Sequence, residues 1–326
     1  MFRLKFLFIF LLYFGCCEIT MAKNNENIQR ARATLSSLYV HYSLPGRTLF
    51  KEYYISDKEG GKMNSISEKI TKEKNTCSFL WSYSAILSGI SSLYEVTSSQ
   101  ADSSSLVQIL LGLNRYLDTS RTPYAYASQI TSSSSDRYYD DNIWIGIDFV
   151  NLYLFTKDSK FLEKAELIWK FIESGIDKRL GGGVYWCEEK KVTKNTCSNA
   201  PAAVLALKLY KATSDQSFLK EGRALYEWTK SHLLDKSDGL YFNNINLRGQ
   251  IDKHKYTYNS GQMLQASCLL YEITKEKSYL DDAHQLATAC FNNFFGVPLD
   301  TCSFKRLKDH NLWFIAVMLR GYRELY

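Results

Sequence analysis

Apolar residues recur along most of this chain every three or four positions, the spacing of one face of an α-helix. Ile143, Ile147, Val150 and Leu154 form one such stripe. A short signature, Leu-Tyr-x-x-Thr, travels with the stripes. It stands at Leu93-Tyr94-Glu95-Val96-Thr97, Leu152-Tyr153-Leu154-Phe155-Thr156, Leu209-Tyr210-Lys211-Ala212-Thr213 and Leu270-Tyr271-Glu272-Ile273-Thr274, at spacings of 59, 57 and 61 residues. A second signature follows three of the four: Lys160-Phe161-Leu162-Glu163-Lys164-Ala165, Ser217-Phe218-Leu219-Lys220-Glu221 and Ser278-Tyr279-Leu280-Asp281-Asp282-Ala283. Each unit therefore predicts a helix, a short polar turn (Asp158, Asp215), a second amphipathic helix and a long loop. Helical hairpins of this kind stack side by side and bury a continuous core.

The two helices of a unit differ in character. The first is small and apolar nearly all round, as in Pro201-Ala202-Ala203-Val204-Leu205-Ala206-Leu207, and the second is charged on one side, as in Lys164-Ala165-Glu166-Leu167-Ile168-Trp169-Lys170. The first set predicts an inner ring and the second an outer ring. The fold class is all-α, an α/α toroid of helical hairpins, with strands confined to the long loops, notably Gly181–Trp186. The pattern yields five inner helices, the fifth from about Asp309 to Tyr326. A further helix is expected from about Glu26 to Tyr42. The Lys/Glu/Ser-rich stretch from Gly46 to Asn75 reads as a surface excursion.

The repeat also sets a phase. Trp81, Asp141, Asn199 and Asn259 lie ten to twelve positions before the Leu of each signature, which places all four at one mouth of the toroid. The loops before them bring Tyr138, Tyr139, Tyr185, Trp186, Tyr256 and Tyr258 to the same face. Asp140 and Asp141 open a helix there, and that has two readings. Acidic residues at a helix start cap free amides and suit the helix dipole. Two carboxyls among aromatics and amides also form what a sugar needs: ring faces to stack on, hydroxyl partners and an acid–base pair.

Composition narrows the classes. At 326 residues and 45% hydrophobic, the chain can bury a large core, and its formal charge of +6 carries no basic cluster interleaved with aromatics, which argues against nucleic acid. Residues 1–22 read as a targeting segment, and 23–326 as a single domain. Arg3 and Lys5 precede an apolar run, Phe6–Phe14, too short to span a bilayer. Gly15-Cys16 then marks either signal cleavage or lipoprotein processing with membrane attachment through an acylated Cys16. Either route exports the protein to the periplasm, the outer membrane or the medium. Export permits disulfides, and the loop from Cys187 to Cys197 is the pairing expected; Cys268 and Cys290 fall on apolar helix faces as buried thiols. The histidines are scattered, no CxxC or HExxH occurs, and no metal site is indicated.

From about Trp81 to Tyr326 the chain resembles glycoside hydrolase family 76, the α-1,6-mannanases. The resemblance rests on Tyr139-Asp140-Asp141-Asn142-x-Trp144, Gly181-Gly182-Gly183-Val184-Tyr185-Trp186, Lys194-Asn195-x-x-Ser198-Asn199, Tyr256-Thr257-Tyr258-Asn259-Ser260-Gly261-Gln262 and Phe304-Lys305, in that order. It implies an (α/α)6-type toroid or barrel acting on α-mannan without a cofactor, and against that pattern the five inner helices are expected to leave the ring without its last hairpin. By similarity, Asp140 is the nucleophile and Asp141 the general acid/base of a retaining endo-α-1,6-mannosidase. Trp81, Tyr139, Trp144, Tyr185, Trp186, Asn199, Tyr258 and Asn259 would bind substrate.

The residues alone favour the same stereochemistry. Side chains of adjacent helical residues diverge by about 100° yet stay close. Such a pair is more easily held at the roughly 5–5.5 Å of a retaining enzyme than at the 6.5–9.5 Å of an inverting one. Two alternatives stand beside this reading. One is a different sugar chemistry on the same toroid, such as a lyase, an epimerase or an inverting glycosidase. The other is an exported glycan-binding protein of the same fold with lost or reduced catalysis.

Overall fold

A computed structural model describes residues 26–53, 77–131, 135–296, 305–308 and 311–326. The expected targeting segment with Cys16, most of the expected excursion, Cys302, Phe304 and His310 lie outside the described residues. The chain divides into two compact units, residues 1–78 with 92–112 and residues 79–91 with 113–326.

Ten α-helices occur among the described residues. They are α1 (26–42), α2 (Leu80–Thr97), α3 (Gln100–Leu113), α4 (Tyr139–Thr156), α5 (Ser159–Glu173), α6 (Thr196–Thr213), α7 (Gln216–Leu233), α8 (Thr257–Thr274), α9 (Lys277–Phe294) and α10 (Leu312–Leu325). In the first unit, the N-terminus of α3 is tied to α1 through Asp102. Its Oδ2 accepts from Arg32 Nη2 at 2.7 Å, Thr97 Oγ1 at 2.5 Å and Ser99 Oγ at 2.6 Å.

In the second unit, α4, α6, α8 and α10 pack on one another in order, and α5, α7 and α9 each lie on the helix before them. This is the α/α toroid pattern, with five inner helices (α2, α4, α6, α8, α10) and no sixth hairpin among the described residues. The division of labour follows from side-chain distribution. In α6 every residue from Thr196 to Leu207 is buried, so it meets neighbours on all sides. In α5 only Phe161, Ala165, Ile168, Trp169, Phe171 and Ile172 are buried, a single stripe. Each such buried aliphatic or aromatic side chain contributes about 1.5–3 kcal/mol. Inner helices also approach closely: a Cβ on Gly321 of α10 would stand 2.4 Å from the Gly261 carbonyl of α8. Only two glycines allow that crossing.

The repeat signature has a physical meaning. The carbonyls of Tyr153, Tyr210 and Tyr271 accept from the amides of Lys157, Ser214 and Lys275, which turn the chain with φ near +60°. The Thr hydroxyls (Thr156, Thr213, Thr274) donate to the Leu carbonyls four residues back. They also accept from the amides of Asp158, Asp215 and Glu276. Asp158 and Asp215 then cap the outer helices by accepting from Lys160 N and Ser217 N. Leu-Tyr-x-x-Thr is thus a hairpin-turn device.

Strands are confined to loops: β1 (Leu117–Asp118) with β2 (Ala125–Tyr126), and a second antiparallel sheet in the order β3 (Thr193–Asn195), β4 (Asn244–Asn246), β5 (Ile251–Asp252). The stretch Gly181–Trp186, expected to be β, is not a strand. It follows a 3₁₀ turn at Arg179–Gly181 and makes isolated bridges at Val184 and Tyr185. Gly183 has φ +79°, and a Cβ there would sit 2.7 Å from the Trp228 ring, so local backbone demands override strand propensity.

Candidate active site

The Asp pair sits where two chain segments are zipped together. Tyr138 N-caps α4 with extended backbone and no side-chain cap, so Asp140 and Asp141 fall in the first turn and neither caps the helix. Beside them runs the loop carrying Trp186. Tyr139 N donates to Trp186 O at 2.9 Å, and Glu188 N donates to Arg137 O at 3.0 Å. The fully buried Arg137 clamps this zipper from below with Nε and Nη2 on the two Glu188 oxygens, at 2.7 and 2.6 Å. Nη1 donates to Pro123 O at 3.0 Å. Lys194, also fully buried, holds the glycine-rich turn through Asp177 Oδ1 at 2.8 Å and the carbonyls of Arg179 and Gly182 at 2.8 and 2.5 Å.

The result is a groove of about 1070 Å³ with the carboxyls on its floor. Trp81, Tyr138, Asp140, Asp141, Trp144, Trp186, Tyr256 and Tyr258 all line it. Residues from three inner helices, α2, α4 and α8, are thereby brought to one place. Trp81 and Trp186 are each 40% exposed, the state of a ring available for stacking. Tyr138 packs on Trp186 with centroids 4.8 Å apart.

Four expected substrate contacts do not line the groove. Tyr139 is fully buried, stacked on Phe171 with centroids 4.6 Å apart. Tyr185 is buried and donates its hydroxyl to Asp177 Oδ2 at 2.7 Å. Asn199 spends its amide on backbone: Oδ1 accepts from Val184 N at 2.6 Å, and Nδ2 donates to Val184 O and Asn195 O at 2.9 and 2.8 Å. It shapes the loop instead of facing the groove. Asn259 is buried beneath, and neither its Oδ1 nor its Nδ2 has a hydrogen-bond partner.

Other residues enter unannounced. Trp313 and Phe314 open α10 after the Asn311 cap and close one wall, Trp313 edge-on to Trp144 and Phe314 stacked on Tyr258 at 4.1 Å. Their helix ends in Leu325-Tyr326, the opening pair of the signature, and Trp313 lies twelve positions before that Leu, as Trp81 does before Leu93. A helical stripe ending at the chain's last residues, with aromatics at its start, was the available signal. Cys197, Asn195, Asn243 and Asn244 also line the groove.

The predicted disulfide is absent. Cys187 and Cys197 are both free, as are the buried Cys268 and Cys290. Cys187 lies in the Tyr138 bridge and points its thiol at Glu189 Oε2, at 3.4 Å. Cys197 is in the first turn of α6 facing Asp140. The loop between them is instead held by β3 and by Lys194.

The two carboxyls are not equivalent. Burial pushes the Asp140 carboxyl up to about 6. Opposing this, the carboxyl is met by the Cys197 thiol, the Trp186 indole and the free amides of Asp140 and Asp141. The indole Nε1 donates to Oδ2 at 3.1 Å. Asp141 is pushed well above the usual carboxylate range, by burial first and then by the Asp140 charge beside it. No hydrogen-bond donor relieves it among the described residues. Donors stabilise an ionised carboxylate, and a dry site next to a negative charge keeps the second carboxyl protonated. Of the two, Asp140 is the more readily ionised, and Asp141 the more strongly held as the acid.

A helical toroid with such a pair at an aromatic-lined mouth defines a carbohydrate-processing class of protein. The chain matches the model of Glycosyl hydrolase family 76 over residues 47–321 and belongs to that family. Among solved structures it is similar to the family 76 mannosidase Bt3792 of Bacteroides thetaiotaomicron. They are 31% identical with a TM-score of 0.80, covering 92% of this chain and 81% of that one. It is also similar to an inactive variant of the α-1,6-mannanase GH76A of Salegentibacter sp., solved with α-1,6-mannotriose. That match is 25% identical with a TM-score of 0.68, covering 92% and 78% of the chains. Among curated proteins, a mannan endo-1,6-alpha-mannosidase, DCW1 of Candida glabrata, is 28% identical over 125 residues, 35% of this chain and 28% of that protein. The matched stretches span 38% and 28% of the two curated relatives' lengths.

Proposed function

We propose that the protein is a retaining endo-α-1,6-mannosidase that cleaves α-mannan by double displacement. The observation that carries this is the asymmetry of the pair: donors converge on Asp140 and none reaches Asp141. Asp140, stabilised as the carboxylate, attacks the anomeric carbon. Asp141, held protonated, gives its proton to the departing glycosidic oxygen. Once Asp140 is esterified its charge is gone, and with it the repulsion that kept Asp141 protonated. Asp141 then becomes the base that activates water to hydrolyse the glycosyl ester, as the two-step mechanism requires. Trp81 and Trp186 offer faces for pyranose stacking, and Trp144, only 3% exposed, backs Trp313 edge-on at the wall.

Two relatives support the substrate class. One is a mannan endo-1,6-alpha-mannosidase, and the inactive Salegentibacter mannanase, changed at two adjacent aspartates to asparagine, is in complex with α-1,6-mannotriose. The N-terminal pattern supports export, with release or lipidation at Cys16 distinguished by mass spectrometry of the mature N-terminus.

The test of the activity is an NMR time course of anomeric configuration during digestion of linear α-1,6-mannan. α-Product forming first supports retention with Asp140 as nucleophile. β-Product first would make the enzyme inverting, and binding without any product would make it a glycan-binding protein.

A further inference from the structure

Strands β3 and β4 form a wall of the groove, and that wall has two faces. Side chains alternate along a strand, and residues directly opposite on antiparallel strands share a face. Lys194 and Ile245 are one such opposite pair, and both are buried in the interior. The next pair, Asn195 and Asn244, takes the other face, and both line the groove with Thr193. This face continues into the segment that carries Trp186, whose backbone amide donates to Thr193 O at 3.2 Å. A half-exposed indole and two side-chain amides thus stand along one wall.

The fold itself does not use up these amides. Asn195 is the N-cap of α6, where asparagine normally accepts from a free helix amide, yet its side chain caps nothing. The residue is 7% exposed, and its Oδ1 has no hydrogen-bond partner. A buried amide left unpaired costs stability until something else completes it. Asn244 is oriented from behind. Its Nδ2 donates to Asp252 Oδ2 at 3.4 Å, and Asn243 Nδ2 donates to the same oxygen at 2.7 Å. Asp252 lies opposite Asn244 on β5, and its Oδ1 accepts from the His254 backbone amide at 3.1 Å. An ionised carboxylate only accepts, so it draws Nδ2 toward itself and turns Asn244 Oδ1 away.

We propose that Asn195 and Asn244 form a subsite that reads the hydroxyls of a pyranose held against Trp186, with Asp252 as the positioning residue for Asn244. The identity of the sugar, an α-1,6-linked mannose unit, rests on the mannanase reading; the place rests on the sheet alone. Cβ atoms of directly opposite residues lie about 4.5–5.5 Å apart, so two amides can take neighbouring hydroxyls of one ring. Hydroxyls and amides each donate and accept, so the pairing needs no charge and no ion. A sugar that lacks one of those hydroxyls leaves an amide unpaired, which is how such a site discriminates. Because the Trp186 indole also donates to Asp140, the subsite adjoins the carboxyl read as the nucleophile.

The test is calorimetric titration of α-1,6-mannotriose into the full chain carrying Asp140→Asn and Asp141→Asn, so that binding is read without turnover. In that parent, Asn195→Ala and Asn244→Ala are each expected to raise Kd about 5–10-fold, the scale of one net hydrogen bond. The melt of free Asn195→Ala should hardly move, because its side chain caps nothing. Asp252→Ala is expected to raise Kd about 3-fold and to add nothing once Asn244 is alanine, a coupling that general loosening of the sheet would not show. Should Asn195→Ala not fold, the Asn244→Ala and Asp252→Ala pair decides the matter. An unchanged Kd in either folded asparagine variant overturns the proposal. A parent that binds no mannotriose sinks the mannan reading, and the same variants are then titrated with α-1,6-linked glucose and galactose trisaccharides. Binding weakened by both asparagine variants keeps the subsite with a different sugar, and no binding of any of the three overturns it as well.

Discussion

The indole Nε1 of Trp186 donates to Oδ2 of Asp140 across 3.1 Å, joining residues 46 positions apart in the chain. One aromatic is thereby placed both to stack on a sugar and to stabilise the carboxylate that would attack it. Trp186→Phe keeps the ring and removes the donor. Its kcat/KM is expected to fall about 10-fold, the scale of one hydrogen bond to a charged group. The acidic limb should shift upward, while a matching loss in Trp186→Phe and Trp186→Ala would mean that only stacking matters.

The acid pair costs stability in a pH-dependent way. Both carboxyls are raised above their unfolded values. Their contribution to folding is therefore complete below about pH 4, where folded and unfolded chains are both protonated, and is lost as pH rises through the folded values. Asp141→Asn removes the more strongly raised acid. It is expected to stabilise the fold by about 1–2 kcal/mol at pH 7–8 while abolishing turnover, the usual trade-off at an active site. Thermal melts against pH should show the gain shrinking to nothing near pH 3.5–4.

Lys194 is buried without solvent contact and ends on Asp177 and two carbonyls of the glycine-rich turn. Replacing it by methionine keeps the volume and strands those acceptors. Lys194→Met is expected to destabilise by about 1.5–3 kcal/mol, the scale of hydrogen bonds from a charged donor, Asp177 itself being 37% exposed and open to water. The segment carrying Trp186 loosens with it, so kcat should fall further than KM changes. Denaturant melts and steady-state kinetics check both halves.

Lys157, Ser214 and Lys275 end three inner helices in left-handed backbone, φ +60°, +63° and +60°. A side chain there costs roughly 1–2 kcal/mol that glycine avoids. Each single change to glycine is expected to gain a few tenths to about 1 kcal/mol, part being returned as unfolded-state entropy. The sites are separate turns, so the triple variant should be near the sum of the singles. Chemical denaturation of the four proteins decides it, and activity should be unaltered because none lines the groove.

Much of the architecture was legible in the sequence because its causes are local. The hairpins follow from 3.6-residue periodicity, and the Leu-Tyr-x-x-Thr turn is built from hydrogen bonds spanning two to four residues. Its phase brought Trp81, Asp141, Tyr258 and the Trp186 loop to one mouth, and the family motifs agreed. The tertiary structure decided what depends on distant neighbours. Tyr139, Tyr185 and Asn199 were sequestered under the groove because their polar groups and rings had better partners in the loop and in α5. Cys187 and Cys197 were separated because the bridge to Tyr138 holds one and the first turn of α6 carries the other toward Asp140. The inequivalence of two adjacent aspartates is the clearest case. Side by side in sequence, they are told apart by the donors that reach Asp140 alone, and the side chains among these are delivered from other segments of the chain.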